Sequence, residues 1–234
     1  MLLNHILFAG TNGLLLVAEI PVLFTPERFF ELNGFGHAEL FDDLPFVWGV
    51  LSKIRNYLES IELSRIEASI QAGAFLIYPE LISIGKGSVI EPGAYIQGPC
   101  VIGKNCVIRH AAYIRGDVII GDECVVGHAT ELKNAVLLNG VHAAHFAYVG
   151  DSVLGNKVNL GAGVKCANLR LDRKEVYVHG AGKRQSTGLR KFGAIVGDGC
   201  QIGCNAVTNP GTIFEKGAVG LPCEVLSGVV TFRS

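Results

Sequence analysis

Two basic residues, Arg115 and Lys133, have the type and the spacing that could bind an anion. They lie eighteen residues apart, which is three repeats of the six-residue pattern described below. If three repeats complete one turn of a solenoid, the two cations lie on adjacent turns at the same angular position. Two cations directed at one spot suit a phosphate or a carboxylate, and a solvated ladder of charges fits the spacing about equally well.

A break in the six-residue pattern, between Leu138 and Leu154, contains polar residues of types that can take part in catalysis: His142, His145, Tyr148 and Asp151. In a solenoid whose regular positions are filled by packing, such a break is a place where side chains can point elsewhere. Histidine has a reference pKa of about 6.5, so it can accept a proton near neutral pH. The break therefore holds a candidate base.

A hexapeptide repeat must position these residues. From Ile84 to Leu138 its first position is aliphatic in ten consecutive hexads, and its fifth position is small in most of them. A period of six fits neither a helix nor an ordinary strand, and it is typical of a short strand followed by one corner. Coils of this kind stack in parallel about 4.8 Å apart. We predict an all-β solenoid, the hexapeptide β-helix.

The cysteines mostly follow the same repeat. Four of them occupy the small inward position, where a thiol packs as a compact apolar group: Cys100, Cys106, Cys124 and Cys200. Packing is also the preferred interpretation, over catalysis or metal binding, for the other three: Cys166, Cys204 and Cys223. Seven cysteines without a CxxC pair or a secretory leader predict reduced thiols in a cytoplasmic protein.

The composition argues against two classes of protein. The 234 residues include 20 Lys and Arg against 21 Asp and Glu, and a net charge of −1 speaks against nucleic-acid binding. Polar residues interrupt the apolar stretch from Ile6 to Phe24, so we expect no membrane span and predict a buried strand–turn–strand there.

The chain divides into two predicted regions. Residues 1–65 are expected to form a small α/β cap over the first coil, and residues 66–234 the β-helix domain. Within the cap, Thr25 and Pro26 predict one helix start, and a second helix is predicted from Phe46 to Ile61. A basic stretch at about 168–192 interrupts the coils and is predicted as a long loop without regular structure.

Three motifs carry a family resemblance: VGHATELKN, HAAHFAYVGDSVLGNKVNLGAG and VGDGCQIGCNAV. From about Ile84 to Gly217 the sequence resembles the C-terminal domain of the bifunctional N-acetylglucosamine-1-phosphate uridyltransferase / glucosamine-1-phosphate acetyltransferase. The resemblance implies a left-handed parallel β-helix and a homotrimer. It also implies acetyl transfer from acetyl-CoA to a sugar amine between subunits, in the biosynthesis of UDP-N-acetylglucosamine for the cell envelope.

The resemblance assigns roles residue by residue. It makes His145 the catalytic histidine, and it gives the sugar phosphate its cations, Arg115 and Lys133. Other matched positions contact the sugar or lie near the reacting groups: Tyr148, Asn159, Asn168 and Lys174, the last contributed by the partner subunit. At the acyl-donor end the matches are Ala162, through its backbone, and Cys204, which replaces a serine. No metal site is implied.

The sequence also departs from that family. Leu169 replaces a tyrosine, the stretch after Asn168 is longer, and the sequence continues only shortly beyond Val219. These departures leave the sugar-phosphate end better supported than the acetyl-CoA end. Uridyltransferase activity is not expected, because 65 residues cannot hold a nucleotide-binding domain.

Two alternatives stay open. The chain could be a non-catalytic trimeric scaffold or a regulatory partner of a nucleotidyltransferase. It is also partly similar to γ-class carbonic anhydrases, which bind zinc through three histidines between subunits. That similarity rests on Arg115–Gly116–Asp117, on Val126–Gly127–His128 and on nearby histidines: His110, His142 and His145.

Overall fold

The computed structural model describes residues 5–8, 16–19, 24–180 and 183–232. From residue 66 onwards the chain winds into stacked coils with three faces, and strands of adjacent coils pair in parallel. The predicted fold class, a left-handed parallel β-helix of hexapeptide repeats with a small N-terminal cap, is confirmed. No described helix is long and apolar enough to cross a membrane.

The strands divide among three faces. The first face consists of Ser69–Ile70, Val89–Ile90, Val107–Ile108, Val125–His128, His142–His145, Asn159–Leu160, Gln201–Ile202 and Val219–Gly220. The second consists of Phe75–Ile77, Tyr95–Gln97, Tyr113–Ile114, the first halves of Glu131–Leu137 and Tyr148–Leu154, then Lys165–Cys166, Val207–Thr208 and Val225–Leu226. The third consists of Ile82–Ile84, Cys100–Ile102, Val118–Ile120, the second halves of those two long strands, then Ala194–Val196, Thr212–Phe214 and Val229–Val230.

The inward positions of the repeat form one continuous apolar core. Its aliphatic ladder is almost completely buried from Ile84 to Leu132, as the hexads predict. The cysteines predicted to pack inward are buried in this core, and so is Cys166. The packing role predicted for Cys204 and Cys223 is wrong, because both lie at corners with exposed side chains.

The repeat shortens by one residue earlier than the sequence suggests. Tyr113 pairs with Glu131, eighteen positions later, but Glu131 pairs with Tyr148, only seventeen positions later. The lost residue falls at the corner around Asn134, whose φ is +46°. As a result Leu137 faces the core, whereas Leu138, predicted to point inward, faces outward.

The N-terminal region contains the predicted helices. Helix α1 spans Pro26–Phe29 with Thr25 at its N-cap. Short 3₁₀ turns at Ala38–Phe41 and Val47–Gly49 lead into helix α2, Val50–Ser60, so the second predicted helix is confirmed in place. The strands His5–Phe8 and Leu16–Glu19 pair antiparallel, whereas the predicted turn between them, and the burial of this stretch, lie outside the described residues.

The described part of the cap, residues 24–65, packs along the third face and not over the first coil as predicted. The reason is the composition of the third face, whose outward side chains are apolar and buried beneath the cap: Val101, Ile119, Val136, Val153, Ile195 and Ile213. The first coil instead keeps several large apolar side chains exposed: Ile66, Ile70, Phe75, Tyr78 and Leu81. A further 3₁₀ turn, Pro79–Leu81, ends that coil.

The stretch predicted as a structureless loop is a folded insertion. Leu169 pairs with Lys191 at its base, and the strands Tyr177–Gly180 and Lys183–Ser186 form an antiparallel hairpin. Val176 and Val178 are buried against the same apolar cluster that the N-terminal region covers. Burial of these two valines gives the insertion a packed position that its polar sequence did not indicate.

Candidate functional site

Asp151 lies at the centre of a hydrogen-bonded cluster on the edge between the second and third faces. Its side chain is only 5% exposed. Lys133 Nζ lies 2.9 Å from Oδ1 and 3.1 Å from Oδ2, and Asn134 Nδ2 donates to Oδ1 over 2.9 Å. Asn168 Nδ2 donates to Oδ2. A buried carboxylate needs such partners, since an unpaired charge away from water is costly.

Tyr148 and Asn168 converge over Gly150, beside Asp151. A Cβ atom at Gly150 would lie 2.5 Å from the Tyr148 hydroxyl and 2.8 Å from Asn168 Nδ2, so both side chains occupy the space that the glycine leaves open. The Asn168 amide also interacts with the Tyr148 hydroxyl. Burial, followed by the charges of Glu131 and Asp151, raises the pKa of Tyr148 above its usual value. The hydroxyl therefore keeps its proton at neutral pH and can donate it in a hydrogen bond.

Arg115 and Lys133 lie on adjacent coils at the same angular position, as their spacing predicts. Each already has a carboxylate partner. Arg115 Nη1 lies 2.8 Å from Glu131 Oε1, and its guanidinium stands 5.8 Å from the centre of the Tyr113 ring. Because Lys133 is paired with Asp151, the two cations and two carboxylates cancel in charge. Arg115 and Lys133 are therefore neither two free cations that bind an anion nor two solvated charges without partners.

His145 lies on the neighbouring edge, between the first and second faces. The strand His142–His145 ends there, and Tyr148 begins the next strand three residues later. Backbone hydrogen bonds place Ala162 and Cys204 on the following coils of the same edge: Gly163 N–H donates to His145 O, and Asn205 N–H to Ala162 O. The predicted base and both predicted donor-binding positions thus share one line, which we call the His145 edge.

The His145 edge carries imidazoles on three successive coils. His128 pairs with His145 in register, and the rings of His110 and His128 stack with their centres 6.1 Å apart. Their spacing of seventeen to eighteen residues, one coil each, is the sequence signal for this column. Within the described parts of the chain, no three potential ligands come close enough together to hold a metal ion.

Two predicted residues lie away from these clusters. Asn159 is exposed on the first face, where it pairs with His142. Lys174 is exposed in the turn of the insertion that leads to its hairpin. Among the described residues, neither side chain has a hydrogen bond or ion pair with Asp151, Tyr148 or their partners.

Comparison with known proteins assigns the chain to a family. A family model described as the GMPPB C-terminal domain matches residues 96–213, which is half of the chain and includes the coils that carry both clusters. The chain belongs to the GMPPB C-terminal domain family.

Curated relatives of this family member include GlmU-like proteins. The bifunctional protein GlmU of Methanococcus maripaludis strain C7 is 42% identical over 202 residues, which cover 83% of this chain and 46% of that protein. A bifunctional sugar-1-phosphate nucleotidylyltransferase/acetyltransferase of Sulfurisphaera tokodaii is 41% identical over 99 residues, which cover 42% and 23%. The chain therefore spans less than half the length of these two relatives.

A third relative is closer to this family member in length. The putative uncharacterized acetyltransferase YaiX of Escherichia coli K12 is 36% identical over 175 residues, which cover 73% of this chain and 75% of YaiX. Together with the GlmU relatives it confirms the resemblance stated from the motifs, that of a β-helix acyltransferase similar to the C-terminal domain of GlmU.

Proposed function

We propose that the protein is an acyl-CoA-dependent acyltransferase that transfers an acetyl group from acetyl-CoA to the amine of an amino-sugar phosphate such as glucosamine 1-phosphate. The observation that carries the proposal is the convergence of Lys133, Tyr148 and Asn168 around Asp151, one strand beyond the His145 edge. The names of two relatives include the word acetyltransferase, which supports the same class of reaction.

His145 acts as the general base in this proposal. The amine must be neutral to attack the thioester, and it must lose a proton as the amide bond forms. An exposed imidazole next to the substrate can accept that proton near pH 7, a role that accelerates reactions typically by about 10² to 10⁴-fold. The C–S bond of the thioester breaks as the amide bond forms, and the protonated His145 returns its proton to the sulfur, so coenzyme A leaves as its thiol.

The sugar end uses the clusters on the second face. Lys133 and Arg115 contact the phosphate, Tyr148 positions the ring, and Asn168 lies near the reacting groups. Asn159 is exposed on the first face, so its proposed contact with the ring requires a substrate that extends past the His145 edge. An ammonium group has three N–H donors, and the two oxygens of Asp151 accept from Lys133, so one donor remains for a ligand. Arg115 is 44% exposed on its side chain, which leaves its other donors accessible.

The donor end uses the His145 edge. The backbone N–H of Ala162 has no acceptor in the described part of the chain, so it is free to donate to a carbonyl oxygen of the acyl donor. Cys204 is exposed on the next coil. Completion of the site by Lys174 requires a neighbouring subunit, and we propose a homotrimer in the cytoplasm.

The test is release of free thiol from acetyl-CoA in the presence of glucosamine 1-phosphate, with a blank for the protein's own thiols. We expect turnover by the wild-type chain and a loss of at least 100-fold for His145→Ala. His179→Ala is the matched control, because it removes an exposed histidine from the insertion. Turnover unchanged in His145→Ala would refute the role of the base.

A second candidate function is the non-catalytic trimeric scaffold. It is favoured by the carboxylate partners of both cations, since a neutral cluster is a weaker attraction for a phosphate than two free cations. Absence of turnover with several amino sugars and acyl donors would favour the scaffold over the enzyme.

A further inference from the structure

We propose that Asp151 is the positioning residue of this site, and that helix α2 of the N-terminal region holds it in place through Asn134. Asp151 fixes Lys133 and Asn168 in the orientation that meets the substrate, without touching the substrate itself. The inference rests on the proposed acyltransferase function, and it gives the N-terminal region a part in substrate binding.

The hydrogen bonds of Asp151 leave no room for a ligand. An ionised carboxylate has about four lone-pair directions. Oδ1 accepts from Lys133 and Asn134, and Oδ2 accepts from Lys133 and Asn168. All four directions are therefore used, and the residue is only 3% exposed. A saturated, buried carboxylate can act on the reaction only through the groups that it holds.

The groups held by Asp151 are those that face the substrate. Lys133 is bound by both oxygens, which limits its ammonium group to one direction. Asn168 is bound by one oxygen, and its amide passes the constraint on to the Tyr148 hydroxyl. One buried charge thus orients three of the residues assigned to the sugar, and the loss of a support of this kind commonly loosens a site by enough to slow its chemistry.

Helix α2 reaches the same cluster from the N-terminal region. The Leu51 carbonyl oxygen accepts a hydrogen bond from Asn134 Nδ2 over 3.3 Å, while the same nitrogen donates to Asp151. One turn further along, Arg55 Nη2 lies 2.9 Å from Asp117 Oδ2. Both contacts are made to the corner that separates the second and third faces.

That corner is a column of polar residues in the left-handed region. Asp117, Asn134 and Asp151 stand on three successive coils, with φ values of +52°, +46° and +45°. Two of these corners come directly after the anion-binding residues in the sequence. Arg115 lies two positions before Asp117, and Lys133 lies one position before Asn134. Helix α2 therefore contacts the corner residues that directly follow Arg115 and Lys133 in the chain.

The experiment compares Asn134→Gly with Asn105→Gly in the full chain. Glycine accepts a positive φ, so each change removes an asparagine side chain without straining the corner. Asn105 has a φ of +55° and lies exposed at a different edge. A second control, Asn139→Ala, removes another hydrogen bond to the N-terminal region, the one from Asn139 Nδ2 to Gly34 O.

We expect Asn134→Gly to lower kcat/KM for the amino-sugar phosphate at least 10-fold, with the KM for acetyl-CoA within 2-fold of wild type. Both controls should stay within 2-fold in all constants. Asp151→Asn should lose at least 100-fold, and if this variant does not fold, Asn134→Gly carries the test. Equal losses in Asn134→Gly and in the controls would overturn the proposal.

A separate readout distinguishes this proposal from the proposed function. Crystal structures of wild type and Asn134→Gly report the positions of Lys133 Nζ and Asn168 Nδ2 whether or not the protein turns over amino sugars. Displacement of both atoms by more than 1 Å supports the positioning role, and unchanged positions refute it. Absence of turnover by the wild type would refute only the enzymatic assignment.

Discussion

We expect the substitution Gly150→Ala to lower catalytic efficiency strongly while it changes the stability of the fold only slightly. The Cβ atom of Gly150→Ala would lie 2.5 Å from the Tyr148 hydroxyl and 2.8 Å from Asn168 Nδ2, and no part of the backbone stands among its three nearest atoms. The glycine does not adopt a positive φ, so alanine fits its backbone. The clash therefore falls on the ends of two side chains assigned to the substrate.

The size of the effect follows from those distances. Ordinary van der Waals contact begins at 3.4 Å, so the Tyr148 oxygen must move by about 0.9 Å and the Asn168 nitrogen by about 0.6 Å. A misplacement of about 1 Å can cost on the order of 100-fold in rate. We expect kcat/KM for the amino-sugar phosphate to fall by about 10- to 100-fold, or about 1.4 to 2.7 kcal/mol.

Stability should change much less. The added Cβ meets side-chain atoms and no backbone, so the main cost is the weakened hydrogen bond from Asn168 to Asp151. That loss is about 1 kcal/mol, which lowers Tm by about 2 to 4 °C. Gly36→Ala is the matched control, since nothing lies within 4 Å of its added Cβ. Thermal melts and thiol-release kinetics on the same preparations check both parts. Wild-type kcat/KM in Gly150→Ala would show that Tyr148 and Asn168 do not meet the substrate.

Three further predictions concern stability and reactivity. Burial lowers the pKa of His37 below 6.5, with Glu39 and Asp122 opposing the shift, so the unfolded chain takes up the proton first as the pH falls. Urea midpoints should therefore drop between pH 7.5 and 5, and an undiminished drop in His37→Gln would contradict this origin. Ellman's reagent should label two thiols rapidly in the native protein, since five of the seven are buried, and seven after unfolding. Gly127→Ala should prevent folding, because its Cβ would lie 1.6 Å from the Ala144 carbonyl oxygen, and a folded variant with wild-type Tm would contradict that distance.

The coils could be predicted because the packing of their core restricts the residue types at regular positions of the sequence. Each inward position must be aliphatic or small in every coil, so one period repeats from Ile84 onwards. The alignment of Arg115 with Lys133 follows from the same period. Their ion partners could not be predicted, because the hexad constrains only the inward side chains and does not specify that Arg115 contacts Glu131 or that Lys133 contacts Asp151.

The position of the N-terminal region could not be predicted for a different reason. The apolar stripe of helix α2 predicts that one side is buried, but it does not specify the surface that covers it. The complementary surface lies on the third face, at positions such as Ile119 and Val153 that the hexad leaves unconstrained. The hairpin at Tyr177–Gly180 was missed likewise, since its strands are short and only Val178 among them is both apolar and buried.

Because the N-terminal region packs on the third face, residues that are synthesised first contact residues that are synthesised last. Arg28 pairs with Glu215, 187 positions later, and Phe24 packs in one cluster with Val176 and Ile213. At about 5 to 20 residues per second, roughly 10 to 40 s of synthesis separate the two ends of that ion pair. Coils can stack one by one as they leave the ribosome, but the aromatic residues made first must wait for surfaces made last. The N-terminal region can therefore complete its native contacts only after the coil that carries Glu215 has been made.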